Sequence, residues 1–180
     1  MCISVRCIDI EYGAMLDWNV SQVTDMNNAF LERNDFNADL SNWDVSNVTN
    51  LNGMFSNATS FNQDLSAWDV SNVTDIGWMF TYANAFNQPI GDWDVSSVTG
   101  MAGMFYYASS FNQDISSWDV SNVTTMGQMF AGTSVFNQPL NDWDVSNVHS
   151  MNEMFYNTTS FNQNIGNWDL SNVTNMENMF

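Results

Sequence analysis

The apolar residues of this chain recur with a period of 25 residues. In one unit they occupy nine positions, which are Trp43, Val45, Val48, Leu51, Met54, Phe55, Ala58, Phe61 and Leu65. The unit that begins at Trp118 repeats this pattern, with Thr133 in place of the alanine. Nine apolar residues are too few to give one unit a core of its own. We therefore expect equivalent side chains of successive units to pack in ladders along one axis.

Tryptophan marks the start of each unit. Complete units begin at Trp18, Trp43, Trp68, Trp93, Trp118 and Trp143, and a seventh begins at Trp168. We predict a repeat solenoid of seven turns over residues 18–180, with an incomplete last turn, preceded by an N-terminal leader or cap over residues 1–17. The last turn finishes on the apolar residues Met179 and Phe180, so we expect further chain or a partner to cover that end.

The spacing within a unit predicts its local structure. Trp68 and Val70 lie two apart, which favours a short strand with both side chains on one face. The apolar residues of the segment 51–58 are spaced i, i+3, i+4 and i+7, which favours one face of a short helix or a 3-10 turn, about two turns long. Turns connect the two elements, and we expect Asn112, Gln113 and their copies to form amide ladders there.

The charge is strongly one-sided. The chain has 20 Asp and Glu residues but only two basic ones, Arg6 and Arg33, and no Lys, so its formal net charge is -18. This excludes nucleic acid as a partner and disfavours anionic membrane surfaces, because both require cations. No apolar run approaches the roughly 18 residues of a membrane span, so we expect no direct membrane insertion. Cys2 and Cys7 are the only cysteines, and both a disulfide and two free thiols remain open.

Candidate catalytic chemistry is sparse. His149 is the only histidine, and it fills a position that other units give to threonine, which indicates a surface substitution. The cysteines lie far from it along the repeat, and no glycine-rich phosphate loop occurs. The same groups recur in every unit rather than in one pocket. We therefore predict no enzyme activity, no catalytic residues and no cofactor.

One aspartate follows the tryptophan in each of six units. These residues are Asp44, Asp69, Asp94, Asp119, Asp144 and Asp169. Neighbouring carboxylates in such a ladder repel one another, so we expect each to accept hydrogen bonds from nearby Ser, Asn or backbone N–H groups. Calcium held between turns is the alternative, although the unit lacks the dense carboxylate clustering of dedicated calcium loops.

Positions that the core does not require hold the candidate binding residues. Trp78 fills a position that other units give to Asn, Gly, Gln or Glu, and Tyr82 lies four residues later. Tyr107 occupies the Tyr82 position one unit on, beside Tyr106. We predict that these four residues form an exposed aromatic strip that contacts protein or carbohydrate. Tolerated surface variation is the alternative.

The repeat W-D-V-S-N-V-T-x-M-x-x-M-F-x-x-A-x-x-F-N-Q-D-[LI]-S-x resembles the 25-residue unit of BspA-like leucine-rich-repeat surface proteins, which include the Mycoplasma-lipoprotein-type repeat. The resemblance covers residues 18–180. It implies a right-handed leucine-rich-repeat-like solenoid, an extracellular or cell-surface location, and adhesion to a protein or glycan on another cell or matrix. No signal peptide is visible within residues 1–15.

The resemblance and the residues together predict a non-enzymatic repeat module of a secreted or surface protein. A structural spacer or self-stacking stalk, associating end to end without a specific ligand, is the alternative. Ice binding through the threonine ladder is a third hypothesis, although His149 interrupts that ladder.

Overall fold

A computed structural model describes residues 15–180, which form a succession of units in register. A 3-10 helix spans Met15–Asp17, and turns and extended segments make up the rest of this range. Single-residue parallel bridges join each unit to the next: Asp25 to Asn50, Asn50 to Asp75, Asp75 to Gly100, Gly100 to Thr125, Thr125 to Ser150, and Ser150 to Asn175. Every bridge therefore connects equivalent positions of neighbouring units, which lie side by side and parallel.

The segment 51–58, expected to be a short helix or a 3-10 turn, is a run of three overlapping turns whose bonds span three residues, as in a 3-10 turn. The N–H groups of Met54, Ser56 and Ala58 donate to the carbonyl three residues earlier. The intervening N–H groups, of Leu51, Gly53, Phe55 and Asn57, donate instead to carbonyls of the next unit. In an α-helix these N–H groups would donate to carbonyls within the segment. Here every second N–H group donates to a carbonyl of the next unit instead. We call this segment and its copies the turn segments: 26–33, 51–58, 76–83, 101–108, 126–133 and 151–158.

The expected short strand around Trp68 is likewise absent from the described residues, where pairing is limited to the single bridges. The chain there is extended, and Trp68 and Val70 point inward while Asp69 is exposed. The period-two pattern thus predicted which side chains are buried, but no ladder of backbone bonds accompanies it.

Two columns of phenylalanine rings run through the core. The first contains Phe30, Phe55, Phe80, Phe105, Phe130, Phe155 and Phe180, with successive ring centroids 5.5–5.9 Å apart. The second contains Phe36, Phe61, Phe86, Phe111, Phe136 and Phe161, at 5.8–6.2 Å. Within a unit the two columns touch, as in the pair Phe80 and Phe86 at 3.8 Å. Burying each such ring stabilises the fold by about 1.5–3 kcal/mol, which makes these columns the main source of cohesion between units.

The indole N–H groups of six repeat tryptophans each donate to a carbonyl 28 residues earlier, which for all but the first lies at the end of the unit before the preceding one: Trp43, Trp68, Trp93, Trp118, Trp143 and Trp168. Trp68 Nε1 donates to the carbonyl of Leu40 at 3.1 Å, and Trp93 Nε1 donates to that of Leu65 at 3.0 Å. The prediction that Trp68, Trp93 and Trp118 are buried is confirmed, since they are 4%, 4% and 3% exposed. Trp18, in the first unit, is 40% exposed and departs from the expected continuous buried column.

The tail of the expected leader contacts the first units. Met15 is buried, and its carbonyl accepts a hydrogen bond from Trp43 Nε1 at 2.7 Å. Cys2 and Cys7 lie outside the described residues, so the choice between a disulfide and two free thiols stays open. Over residues 15–180 the structure contains no helix with the length and apolarity to cross a bilayer.

The predicted amide ladder is confirmed. Asn112 Oδ1 accepts a hydrogen bond from the backbone N–H of Asn137 at 2.9 Å, and the Asn112 carbonyl accepts one from Gln138 Nε2 at 3.0 Å. Asn87 receives the same pair of bonds from Asn112 and Gln113. These amides satisfy backbone groups that the bend would otherwise leave unpaired.

Candidate aromatic interaction site

Each turn segment has two positions at which the backbone is left-handed. The first left-handed position is held by Asn28, Gly53, Trp78, Gly103, Gln128, Glu153 and Asn178, with φ between 51° and 63°. The second is held by Glu32, Asn57, Tyr82, Tyr107, Gly132 and Asn157, with φ between 53° and 71°. Gly and Asn adopt this conformation readily, whereas other L-residues there cost about 1–2 kcal/mol.

Three of the four predicted binding residues occupy these positions. Trp78, Tyr82 and Tyr107 are large aromatic residues with φ of 57°, 53° and 53°. A bulky side chain in this region is uncommon, and strained backbone positions concentrate at functional sites. The backbone therefore does not select these aromatic residues, and another reason for their presence is needed.

The four aromatic residues form one cluster, which we call the aromatic cluster: Trp78, Tyr82, Tyr106 and Tyr107. Tyr106 stands at steep angles to its three neighbours, at 66° to Trp78, 90° to Tyr82 and 68° to Tyr107. The corresponding ring centroids are 6.0, 5.4 and 4.8 Å apart. Tyr82 and Tyr107 are stacked at 5.3 Å across the boundary between two units.

Glycines of the following unit make room for two of these rings. A Cβ atom on Gly103 would lie 2.1 Å from Cε3 of Trp78, and one on Gly132 would lie 2.7 Å from the ring of Tyr107. Each glycine holds the same left-handed position as the aromatic residue one unit earlier. The rings therefore rest on the backbone of the next unit, which limits the directions they can take.

The cluster is partly open to solvent, and the charge of one carboxylate acts on it. Tyr82 is 38% exposed, and Trp78, Tyr106 and Tyr107 are half-buried. Burial raises the pKa of the Tyr106 phenol, and a hydrogen bond with Tyr82 and the negative charge of Glu153 raise this pKa further. Glu153 Oε2 accepts a hydrogen bond from Gln128 Nε2 at 2.8 Å, which fixes the position of the carboxylate.

The sequence predicted the membership of this cluster but not its local geometry. The spacing of four residues between Trp78 and Tyr82 suits one face of a helix, whereas here both residues have left-handed backbone and each ring contacts Tyr106. The expected neighbourhood of Tyr82 and Tyr107 is confirmed by their stacking.

Comparison with known families gives two overlapping matches, at residues 5–108 and 88–180, to the family described as "Mycoplasma protein of unknown function, DUF285". The chain belongs to this family. No curated protein and no solved structure matches it. The DUF285 description names no activity, so a functional hypothesis for this chain must come from its own residues.

The aspartate ladder of this DUF285 chain is hydrogen-bonded as expected. In all six units Oδ1 accepts from the backbone N–H of the serine two residues later. The serine hydroxyl adds a second bond in three of them, as between Ser96 Oγ and Asp94 at 2.6 Å. Hydrogen bonds from Ser46, Ser96, Ser146 and Ser171 hold the pKa of Asp44, Asp94, Asp144 and Asp169 below the ordinary value.

The structure gives limited support for metal binding. Within residues 15–180 no group of three or more His, Cys, Asp or Glu is placed to hold a metal ion. The calcium alternative for the ladder, which would also draw on backbone carbonyls, stays a prediction. His149 is exposed, and its N–H donates to the Thr124 carbonyl at 2.9 Å, so its backbone continues the threonine ladder.

Four contributors to the site were missed at the level of sequence: Gly103, Gly132, Gln128 and Glu153. A signal for the two glycines was present, because Gly and Asn recur at both positions of the unit: Asn28, Gly53, Gly103 and Asn178 at the first, and Asn57, Gly132 and Asn157 at the second. These two residue types favour left-handed backbone, and an aromatic residue among them is unusual. No comparable signal placed Glu153 near Tyr106, since they occupy different positions in units two apart.

Proposed function

We propose that this chain is a non-enzymatic binding module of a secreted or cell-surface protein, which contacts a protein or glycan through the aromatic cluster. The proposal includes a leucine-rich-repeat-like, right-handed solenoid of BspA-like type. The parallel bridges at intervals of 25 residues support this architecture. Such a solenoid would hold the cluster on a rigid frame.

One observation carries the proposal: aromatic residues hold left-handed positions that neighbouring units fill with Gly or Asn at lower cost. The rings at these positions lie outside the buried core, so the fold does not need them. Partly exposed Trp and Tyr residues bury much surface with little loss of side-chain freedom, and they dominate the energetics of measured interfaces.

The first test replaces the aromatic residues by the ones that other units use. Trp78→Asn, Tyr82→Asn and Tyr107→Asn are combined into one cluster variant, because Asn occurs at both left-handed positions. Wild type and variant are screened against cells, extracellular-matrix proteins and a glycan array. We expect a wild-type ligand whose affinity falls about 10-fold or more in the variant. Equal affinity would exclude the cluster as the site.

A second test keeps all four aromatic residues and displaces only the Trp78 ring. Gly103→Ala places a methyl group against the Trp78 ring, whereas Gly53→Ala places one 2.2 Å from Asn28 Oδ1. The two glycines have φ of 62° and 63°, so both variants carry the same backbone strain. We expect weaker binding in Gly103→Ala than in Gly53→Ala, with similar thermal unfolding.

A spacer or self-stacking stalk is the second candidate. Equivalent rings and backbone groups join each unit to the next, an arrangement that a unit of another copy of the chain could continue. Sedimentation over a range of concentrations tests it. Concentration-dependent association together with no ligand in the screen would favour the stalk over the binding module.

A further inference from the structure

The arrangement of the cluster favours one kind of chemistry. The faces of aromatic rings carry partial negative charge and attract cations. Tyr106 is turned by 66–90° from its three neighbours, so the solvent-exposed parts of the rings differ in orientation and do not form one flat platform. Several differently oriented faces suit a compact cation, whereas a sugar ring stacks best on a single broad face.

A fixed carboxylate adds to this attraction. The charge of Glu153 acts on the Tyr106 phenol, and Gln128 holds the carboxylate by a hydrogen bond of 2.8 Å. A cation bound beside the rings would be attracted by both groups, whereas an anion would be repelled by both.

The rest of the chain supplies almost no competing cation. Its two basic residues are Arg6 and Arg33, against 20 acidic residues. Arg33 belongs to the unit that begins at Trp18, two units before the one that contains Trp78. The net charge of -18 would also increase the rate of encounter with basic partners and reduce it for acidic ones.

We propose that the aromatic cluster, together with Glu153, takes a lysine or arginine side chain from a basic segment of a protein partner. This inference rests on the proposed function and names the chemistry of the partner. The cation would lie against the solvent-exposed side of the cluster, and the negative charge of Glu153, which acts on Tyr106, would add to the attraction.

The test uses short peptides of alternating glycine and lysine, or glycine and arginine, with a glycine–glutamine peptide as the neutral probe. The cluster variant is the decisive comparison, because Trp78→Asn, Tyr82→Asn and Tyr107→Asn leave the net charge unchanged. We expect the basic peptides to bind wild type about 10-fold more tightly than the variant. Circular dichroism and thermal unfolding check that both proteins are folded.

A charge-matched pair isolates the carboxylate. Glu153→Gln and Glu177→Gln each remove one negative charge, but only Glu153 acts on the cluster. We expect several-fold weaker binding of the lysine peptide to Glu153→Gln than to Glu177→Gln, with the difference shrinking at high salt. Equal affinity of the two variants would remove Glu153 from the site.

The outcomes separate this inference from the proposed function. Equal binding of the basic peptides to wild type and cluster variant overturns the inference, because bulk charge would then account for all attraction. If a glycan or neutral protein loses binding in the cluster variant under the same conditions, the proposed function stands and the inference falls. If no ligand distinguishes wild type from the variant, both fall.

Discussion

The turn segments 51–58 and 76–83 have the same backbone and different side chains. Gly53 and Trp78 hold the same left-handed position, and their N–H groups donate to the next unit at 2.9 and 2.8 Å. Asn57 and Tyr82 hold the second position in the same way, at 2.7 and 2.8 Å. The backbone geometry is thus maintained whether a position holds a hydrogen atom or an indole ring.

This comparison divides the unit into two kinds of position. Inward positions, such as Phe55 and Phe80, are fully buried and nearly constant, because each must fit its copies on both sides. Left-handed positions are free to vary in size, since their side chains lie outside the core. Three substitutions test this division, from the largest expected effect to the smallest.

Trp93→Ala should destabilise the protein by about 3–5 kcal/mol, because it opens a cavity in the core. Trp93 is 4% exposed, and its ring centroid lies 6.5 Å from that of Phe80. Denaturant unfolding followed by circular dichroism measures the change. The control Trp93→Phe keeps a ring but loses the N–H bond to Leu65, so we expect a smaller loss. A cost below about 1 kcal/mol for Trp93→Ala would contradict the importance of the inward positions.

The aspartate–serine turns are a surface feature that recurs in six units, where each serine donates a hydrogen bond to the charged carboxylate. Serine hydrogen bonds lower the pKa of the carboxylates in the folded state, so their stabilisation is present above the unfolded pKa of about 3.9. It is lost as pH falls through the lower folded pKa. In the triple variant Ser46→Ala, Ser96→Ala and Ser146→Ala, we expect the pKa of these carboxyls to rise toward the ordinary value.

The measurement is a carboxyl NMR titration, with denaturant unfolding at several pH values from neutral to strongly acidic. The difference between variant and wild type should be present near neutral pH and vanish in strong acid, since only the ionised carboxylate gains from the hydroxyl. Ser97→Ala is the control, because Ser97 is exposed and adjacent to one of these turns. An unchanged pKa of Asp94 would contradict the role of the Ser96 hydroxyl.

Trp78→Asn should change stability by less than about 1 kcal/mol, the smallest of the three effects. Relief of the left-handed strain and loss of the ring contact with Gly103 are each of order 1 kcal/mol and have opposite signs. Thermal and denaturant unfolding of Trp78→Asn and Trp93→Ala, under the same conditions, measures both changes in stability. A loss of stability comparable with that of Trp93→Ala would show that Trp78 belongs to the core, and would contradict the division into inward and left-handed positions.

Sequence periodicity predicted side-chain placement better than backbone conformation. All four apolar positions of the segment 51–58 are buried, as the helical spacing requires, yet the segment is not a helix. A spacing of i, i+3, i+4 and i+7 also fits a run of turns with two left-handed residues four apart. Which of the two forms depends on whether alternate N–H groups find acceptors outside the segment. Those acceptors belong to the next unit, so local sequence does not determine the choice.

The aromatic cluster was predictable as a set of residues but not as a geometry. Trp78, Tyr82 and Tyr107 stand out because their positions elsewhere hold small or polar residues. The angles around Tyr106 and the effect of the Glu153 charge depend on how four successive units are placed, which no spacing rule describes.

The hydrogen bonds between units run in both directions. The turn segments donate forward, as Gly53 N–H does to Gly77, whereas the threonines donate backward, as Thr99 N–H does to Thr74 at 2.9 Å. Each unit therefore presents the same mixed set of donors and acceptors to whatever unit follows it. An in-frame deletion or duplication of a whole unit in the gene would recreate every one of these bonds at the new junction. A change by a single codon would put the altered unit out of register with its neighbours, so length changes of one whole repeat are the ones that this bonding pattern accommodates best.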